Sequence, residues 1–192
     1  MPTRTREHLP ATLNGVRTYD IDPARSQVGF RIGYFGIGSV AGAFDRCEGT
    51  VRFDPEDLAA LSVEARIEAE SIDTGNRERD RKLRSANLFD TQQHPYLLFH
   101  STAARPTGDD TFELAGDLTV RGITRNVVLS ARFDGFEGDP EGEEAAVFSA
   151  EVTLLRSDYE VRWGQVLEAA GALVGDRVDV ELSVCAIPRA TG

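Results

Sequence analysis

The run from Ser62 to Glu70 constrains the fold more than any other stretch, because it alternates without a break. Val63, Ala65 and Ile67 fall on one side of an extended strand, and Glu64, Arg66 and Glu68 on the other. Successive side chains of a strand point to opposite faces, so this period separates a dry face from a wet one. The pattern recurs. Phe112, Leu114, Gly116, Leu118 and Val120 alternate with Glu113, Ala115, Asp117, Thr119 and Arg121. Val178, Val180, Leu182, Val184 and Ala186 alternate with Asp179, Glu181, Ser183 and Cys185. Strands of this kind enclose an apolar space, and what fills that space decides the function.

Strand-like runs are expected near residues 17–21, 26–33, 38–44, 46–53, 61–71, 96–104, 111–121, 125–134, 145–157 and 177–187. Turn residues divide them, among them Asp22-Pro23, Gly36 with Gly38, and Thr107-Gly108-Asp109. Asp54-Pro55-Glu56-Asp57 reads as a short helical turn capped by Asp54. Without alternating helices a doubly wound fold is excluded, which leaves an all-β sandwich or closed barrel. A chain of 192 residues suits a single domain of that type, here residues 16–192 behind a loose arm at 1–15. One segment departs from the pattern. Residues 76–84 are polar, rich in helix formers and free of β-branched residues, so a short helix capped by Asn76 is predicted. Leu83, Leu88 and Phe89 then turn inward, and the helix covers one end of a barrel, either as a lid or as a plain plug.

The net charge of −11 argues against nucleic acid, which demands basic stripes, and against anionic membrane surfaces. Part of the acidic excess lies between Asp134 and Glu144, which reads as a solvated loop. Nothing reaches the roughly 18 apolar residues of a membrane span. The opening Met1–His8 has no apolar segment of a secretory signal, so no integral membrane segment is expected and the cytoplasm is the expected compartment. Cys47 shares a face with Val51 and Phe53, whereas Cys185 falls on the polar face of its strand, so a disulfide is not expected. Two isolated thiols are too few for a metal site.

Motifs of catalysis are missing. The three histidines, His8, His94 and His100, show no metal-ligand spacing, and His100 is expected to face water. There is no G-x-S-x-G elbow, P-loop or dinucleotide fingerprint, so no catalytic residue and no cofactor is indicated. Aromatic residues say more. Phe30, Phe35, Phe44, Phe53, Phe89, Phe99, Phe112, Phe133, Phe148 and Trp163 fall mostly in phase with the apolar faces. They form either an ordinary packed core or the wall of a cavity for one small ligand. Ala65, Ala69, Gly116, Ala131 and Ala150 interrupt the same faces, which leaves a slot or accommodates barrel taper. Arg156 continues the inward phase of Phe148, Ala150, Val152 and Leu154, so it either pairs inside, with a ligand head group or a carboxylate such as Asp158, or swings outward at a register break.

These residues, read together, resemble the YceI-like family, a lipocalin-like group of polyisoprenoid-binding proteins. The resemblance runs from about Tyr19 to Ile187. It is carried by Tyr19-Asp20-Ile21-Asp22-Pro23, Val40-Ala41-Gly42-Ala43-Phe44, Gly49-Thr50-Val51-Arg52-Phe53-Asp54-Pro55 and Ser71-Ile72-Asp73-Thr74-Gly75-Asn76. Leu83-Arg84-Ser85-Ala86-Asn87-Leu88-Phe89-Asp90, Gly116-Asp117-Leu118-Thr119-Val120-Arg121-Gly122-Ile123-Thr124 and Val174-Gly175-Asp176-Arg177-Val178 extend it. The chain departs from the family pattern at Arg25, Tyr34 and Lys82, where many members carry histidine, and at Tyr159-Glu160, where Phe-Gly is usual.

The resemblance implies an extended antiparallel eight-stranded lipocalin-like barrel that holds a long amphiphilic chain. It implies binding rather than catalysis, and often a homodimer. The expected ligand is an isoprenoid-like lipid, a polyprenyl chain or quinone, whose tail touches Phe30, Phe35, Phe44, Leu83, Phe89, Phe99, Leu118 and Trp163. The alternative is a stress-associated interaction module with a side-chain-filled barrel and the 134–144 loop as its working surface.

Overall fold

The computed structural model describes residues 15–34, 38–138, 144–162 and 174–189. The expected arm at 1–15 (save Gly15), the Gly36 turn, Phe35, Trp163 and the centre of the acidic loop therefore lie outside the described residues. The strands are β1 (Arg17–Ile21), β2 (Gln27–Tyr34), β3 (Gly38–Phe44), β4 (Cys47–Asp54), β5 (Asp57–Glu68), β6 (Ile72–Asp73), β7 (Tyr96–Pro106), β8 (Thr111–Val120), β9 (Ile123–Gly138), β10 (Glu144–Leu155) and β11 (Val174–Pro188). One helix, α1 (Arg77–Arg84), stands between β6 and β7. Every pairing is antiparallel, from β4 through β5, β7, β8, β9 and β10 to β11.

Closure comes from β1, which lies between the two ends of that series. Tyr19 is opposite Pro188 of β11 on one edge and Val51 of β4 on the other. The rest of β11 takes β2 on the same edge, from Gln27 opposite Ser183 to Tyr34 opposite Val174. β2 then pairs β3, and β3 ends against β6. β1 with β2 and β3 with β4 are thus the two bent legs of one long hairpin, and counting each leg once gives a closed eight-stranded barrel. Closing the sheet leaves few unpaired strand edges.

The bends have local causes. At residues 22–26 the Asp22 carboxylate accepts from Ala24 N at 2.9 Å, and Pro23 has no backbone donor to extend the ladder. Buried Ser26 takes up the slack, its hydroxyl accepting from Cys185 N at 3.0 Å and donating to Cys185 O at 3.2 Å. This contact also corrects one expectation: Cys185 points away from the barrel interior but is buried beneath the bend, not wet. Cys47 and Cys185 form no disulfide. A second correction concerns residues 54–57. They form a tight hairpin turn with Asp54 opposite Asp57, and the Asp54 carboxylate accepts from Glu56 N at 2.9 Å. The Asx-type bond that suggested a helix cap here stabilises a strand reversal instead.

A bulge shapes one end of the interior. Between Val147 and Phe148 the β9–β10 register slips, with Gly135 at φ +105°. One extra residue resets the alternation, so Phe133 and Phe136 both reach the interior although an odd number of positions separates them. They pack with Tyr19, Phe53 and Phe148, ring centroids 5.0–6.3 Å apart. Phe53 has no exposed surface and Tyr19 is 1% exposed. This five-ring plug fills the end of the barrel that carries the β4–β5 and β7–β8 turns.

Candidate functional site

The other end is hollow. A single cavity of about 250 Å³ extends from the Phe148 ring toward α1. A void holding one water needs only about 15 Å³, so this space is no packing defect. Its wall is the set of inward positions that alternation assigns, and their burial reports the hollow directly. Phe30, Val63, Phe99, Val152, Val180 and Leu182 point inward yet keep part of their surface accessible, because that surface faces the cavity.

Of the residues expected to touch a ligand, Phe30, Phe44, Leu83, Phe89, Phe99 and Leu118 all lie on this wall. Phe35 and Trp163 lie outside the described residues. Phe30 and Phe44 meet at 5.7 Å between centroids, and Phe89 stands edge-on to Phe44 at 5.7 Å. Two glycines set how far the rings intrude. A Cβ on Gly42, directly opposite Phe30, would come within 2.6 Å of that ring, and one on Gly116 within 2.6 Å of the Phe99 ring. The missing side chains let both rings approach the wall backbone more closely than any other residue would allow.

The helix forms where the sequence places it. Asn76 caps it by accepting from Glu78 N at 3.1 Å and Arg79 N at 3.0 Å. Only Asp80 and Leu83 of its residues are buried. Leu83 faces the cavity, and Leu88 and Phe89 join it there from the loop that follows. Arg84 ties the last turn to the sheet by donating to Ile72 O at 2.8 Å and Glu70 O at 2.9 Å. His100 is exposed and lies 3.4 Å from Glu64, as its outward phase predicts.

Polar side chains reach the wall at the helical end. Arg79 donates to the Thr74 hydroxyl at 2.7 Å, which donates on to Asp80 at 2.6 Å, a carboxylate only 5% exposed. Arg156 sits just past β10 and lines the cavity. Its partner is not Asp158: it donates to the carbonyls of Gly175, Val161 and Val174 at 2.9, 3.0 and 3.3 Å. The turn 156–159 breaks the strand there, and the guanidinium ends up among carbonyls left by the start of β11. Tyr159, on the same turn, is 3% exposed, and its buried hydroxyl has no hydrogen-bond partner among the described residues. Burial, helped by the charge of Asp158, pushes its phenol up to about 12. Burial likewise pushes the Cys47 thiol, on the cavity wall, up to about 11, with Glu48 adding to the effect.

Sequence reasoning put Val152 and Val178 on apolar faces but took mostly aromatic residues as ligand contacts, and it passed over Ile32, Val40 and Val127 as well as Thr74, Arg79 and Tyr159. The period-2 phase of each strand carried the signal for the aliphatic positions. Nothing comparable marked the polar ones, which stand on turns or, for Arg79, in the first turn of α1. Among the described residues no cluster of three His, Cys, Asp or Glu side chains could hold a metal ion, and no helix is long and apolar enough to cross a membrane.

Comparison with known proteins converges on one family. A family model described as a YceI-like domain matches residues 19–186. The Protein YceI of an Escherichia coli strain is 38% identical over 135 residues, covering 70% of each chain. In structure, Burkholderia cenocepacia BcnA matches with a TM-score of 0.76 at 23% identity, covering 89% of this chain and 99% of that one. A domain of Saccharophagus degradans described as polyisoprenoid-binding matches with a TM-score of 0.68 at 16% identity, covering 89% and 98%. At these identities the structural likeness speaks for the fold.

Proposed function

The chain belongs to the YceI-like family, and from that premise we propose that its barrel binds, stores or carries a long-chain amphiphilic lipid of isoprenoid type. The observation that carries the reading is the cavity: about 250 Å³, walled mostly by hydrocarbon from all sides of the barrel, with its charged groups, Arg79 and Arg156, at the α1 end. Burying each methylene of a tail gains about 0.8 kcal/mol, so a few isoprene units suffice for tight binding without specific polar contacts. The description of a structural neighbour as a polyisoprenoid-binding domain points the same way.

Binding, not catalysis, is the role this wall suits. The interior groups with displaced ionisation, Cys47 and Tyr159, are held protonated near neutral pH, so neither is primed as a nucleophile or base. A barrel filled by its own side chains, as an interaction module would have, is hard to reconcile with the open space between Phe30, Phe99 and Val152. The reading is tested by replacing Phe89 or Phe99 with Asp, one variant at a time. Each is expected to abolish retention of lipid through purification while far-UV circular dichroism stays β-type. Full retention in both variants would refute the lining.

A further inference from the structure

Among the described residues two cations stand on the cavity wall, Arg79 and Arg156, and they differ in their surroundings. Arg79 is linked to buried Asp80 through the Thr74 hydroxyl, so its charge has a counter-charge one side chain away. Arg156 has none. Among the described residues no carboxylate lies within ion-pair distance of its guanidinium. The nearby Asp176 carboxylate is occupied by Ser157, accepting from its N at 3.0 Å and its hydroxyl at 2.6 Å.

The guanidinium is nevertheless fixed in place. Three of its N–H groups are spent on the carbonyls of Gly175, Val161 and Val174. An arginine has five such donors in a planar fork, so two remain. A half-buried cation held by neutral dipoles alone is costly, and an anion arriving beside it removes that cost. Three residues along the chain, the Tyr159 hydroxyl is a further donor with no acceptor among the described residues.

We propose that Arg156 anchors the head group of the bound amphiphile and that this head group is anionic, a carboxylate or a phosphate. The assignment rests on the reading that the cavity takes a long-chain amphiphile, and it narrows that reading. A planar fork with two free donors and an uncompensated charge matches carboxylate and phosphate oxygens, whereas a quinone or a free alcohol offers it only a dipole.

The test uses the full chain stripped of lipid and three C20 probes: geranylgeraniol, geranylgeranyl phosphate and phytanic acid. Affinity is read by displacement of the neutral dye N-phenyl-1-naphthylamine. At least one anionic probe is expected to bind the unmodified chain about tenfold or more tighter than the alcohol, the factor that about 1.4 kcal/mol represents. Whether the phosphate or the acid binds more tightly identifies the head group. Arg156→Gln should erase the preference, so that anions and alcohol bind that variant alike, and Arg156→Lys should keep most of it, which separates lost charge from lost fold. Equal binding of alcohol and anions by the unmodified chain, or an intact preference in Arg156→Gln, overturns the assignment but not the lipid-binding reading. Failure of all three probes to bind contradicts that reading, and the assignment falls with it.

Discussion

The two ends of the barrel are built from the same alternating strands and use their inward positions in opposite ways. At the end bearing the β4–β5 turn, Tyr19, Phe53, Phe133, Phe136 and Phe148 stack into a plug in which Phe53 has no exposed surface. Toward α1, Phe30 and Phe99 come close to Gly42 and Gly116 and border a hollow. The contrast teaches that aromatic content alone does not decide whether a barrel is filled. What differs is how many rings meet. Phe53 packs against four other rings and is fully buried, whereas Phe30 and Phe99 come close to glycines and keep surface toward the cavity.

The largest expected effect breaks the plug. Phe53→Ala should cost about 3–5 kcal/mol, the usual range for a fully buried phenylalanine, because four rings lose their common neighbour. Phe99→Ala, at a ring that already borders empty space, should cost less than half as much in the same urea titration. Equal losses would mean that the two ends are packed alike. Filling the hollow end is the converse experiment. Gly116→Ala sets a Cβ 2.6 Å from the Phe99 ring and 2.7 Å from His100 O, and over-packing of this kind costs about 1–3 kcal/mol. It should also lower the amount of lipid carried per barrel, which lipid extraction would measure; unchanged capacity would show that Phe99 does not set the width.

Alkaline titration probes both ends at once. Folding raises the Cys47 thiol from 9.0 to about 11 and the Tyr159 phenol from 10.0 to about 12, and burial raises Tyr19 as well. A group whose proton is held more tightly in the fold contributes stability that is complete below its unfolded value and lost as pH rises through its folded one. The melting temperature should therefore begin to fall near pH 9 and continue to pH 12, and Cys47→Ala should delay the onset toward pH 10. An identical profile in that variant would place the thiol in contact with water. The smallest effect is local. Asn76→Ala removes two capping bonds from α1 and should cost about 1 kcal/mol. Amide exchange should then quicken in residues 77–84 and not in the plug.

Much of the wall was legible in the sequence because its signal is local. Alternation in 61–71, 111–121 and 177–187 assigns Val63, Leu118 and Val180 to the inside without any knowledge of the fold. The helix was legible too, since Asn76 and the absence of β-branched residues are features of a single segment. What could not be read depends on register between distant segments. The Gly135 bulge changes the phase of β9 only in relation to β10, so nothing in residues 125–134 shows that Phe136 also turns inward. Cys185 looks like a surface position until Ser26, 159 residues away, covers it. Arg156 was ambiguous for the same reason: its surroundings are carbonyls of β11 and of the turn that follows it, and neither alternation nor spacing reports on carbonyls.

The central claim, a hollow barrel with a lipid cargo, is tested most directly by mass spectrometry of organic extracts from protein purified without detergent, compared with a mock purification. The account predicts a long-chain amphiphile in stoichiometric amount, lost in parallel from the Phe89→Asp and Phe99→Asp variants. An empty extract, followed by no thermal stabilisation on adding long-chain isoprenoid probes, would contradict it.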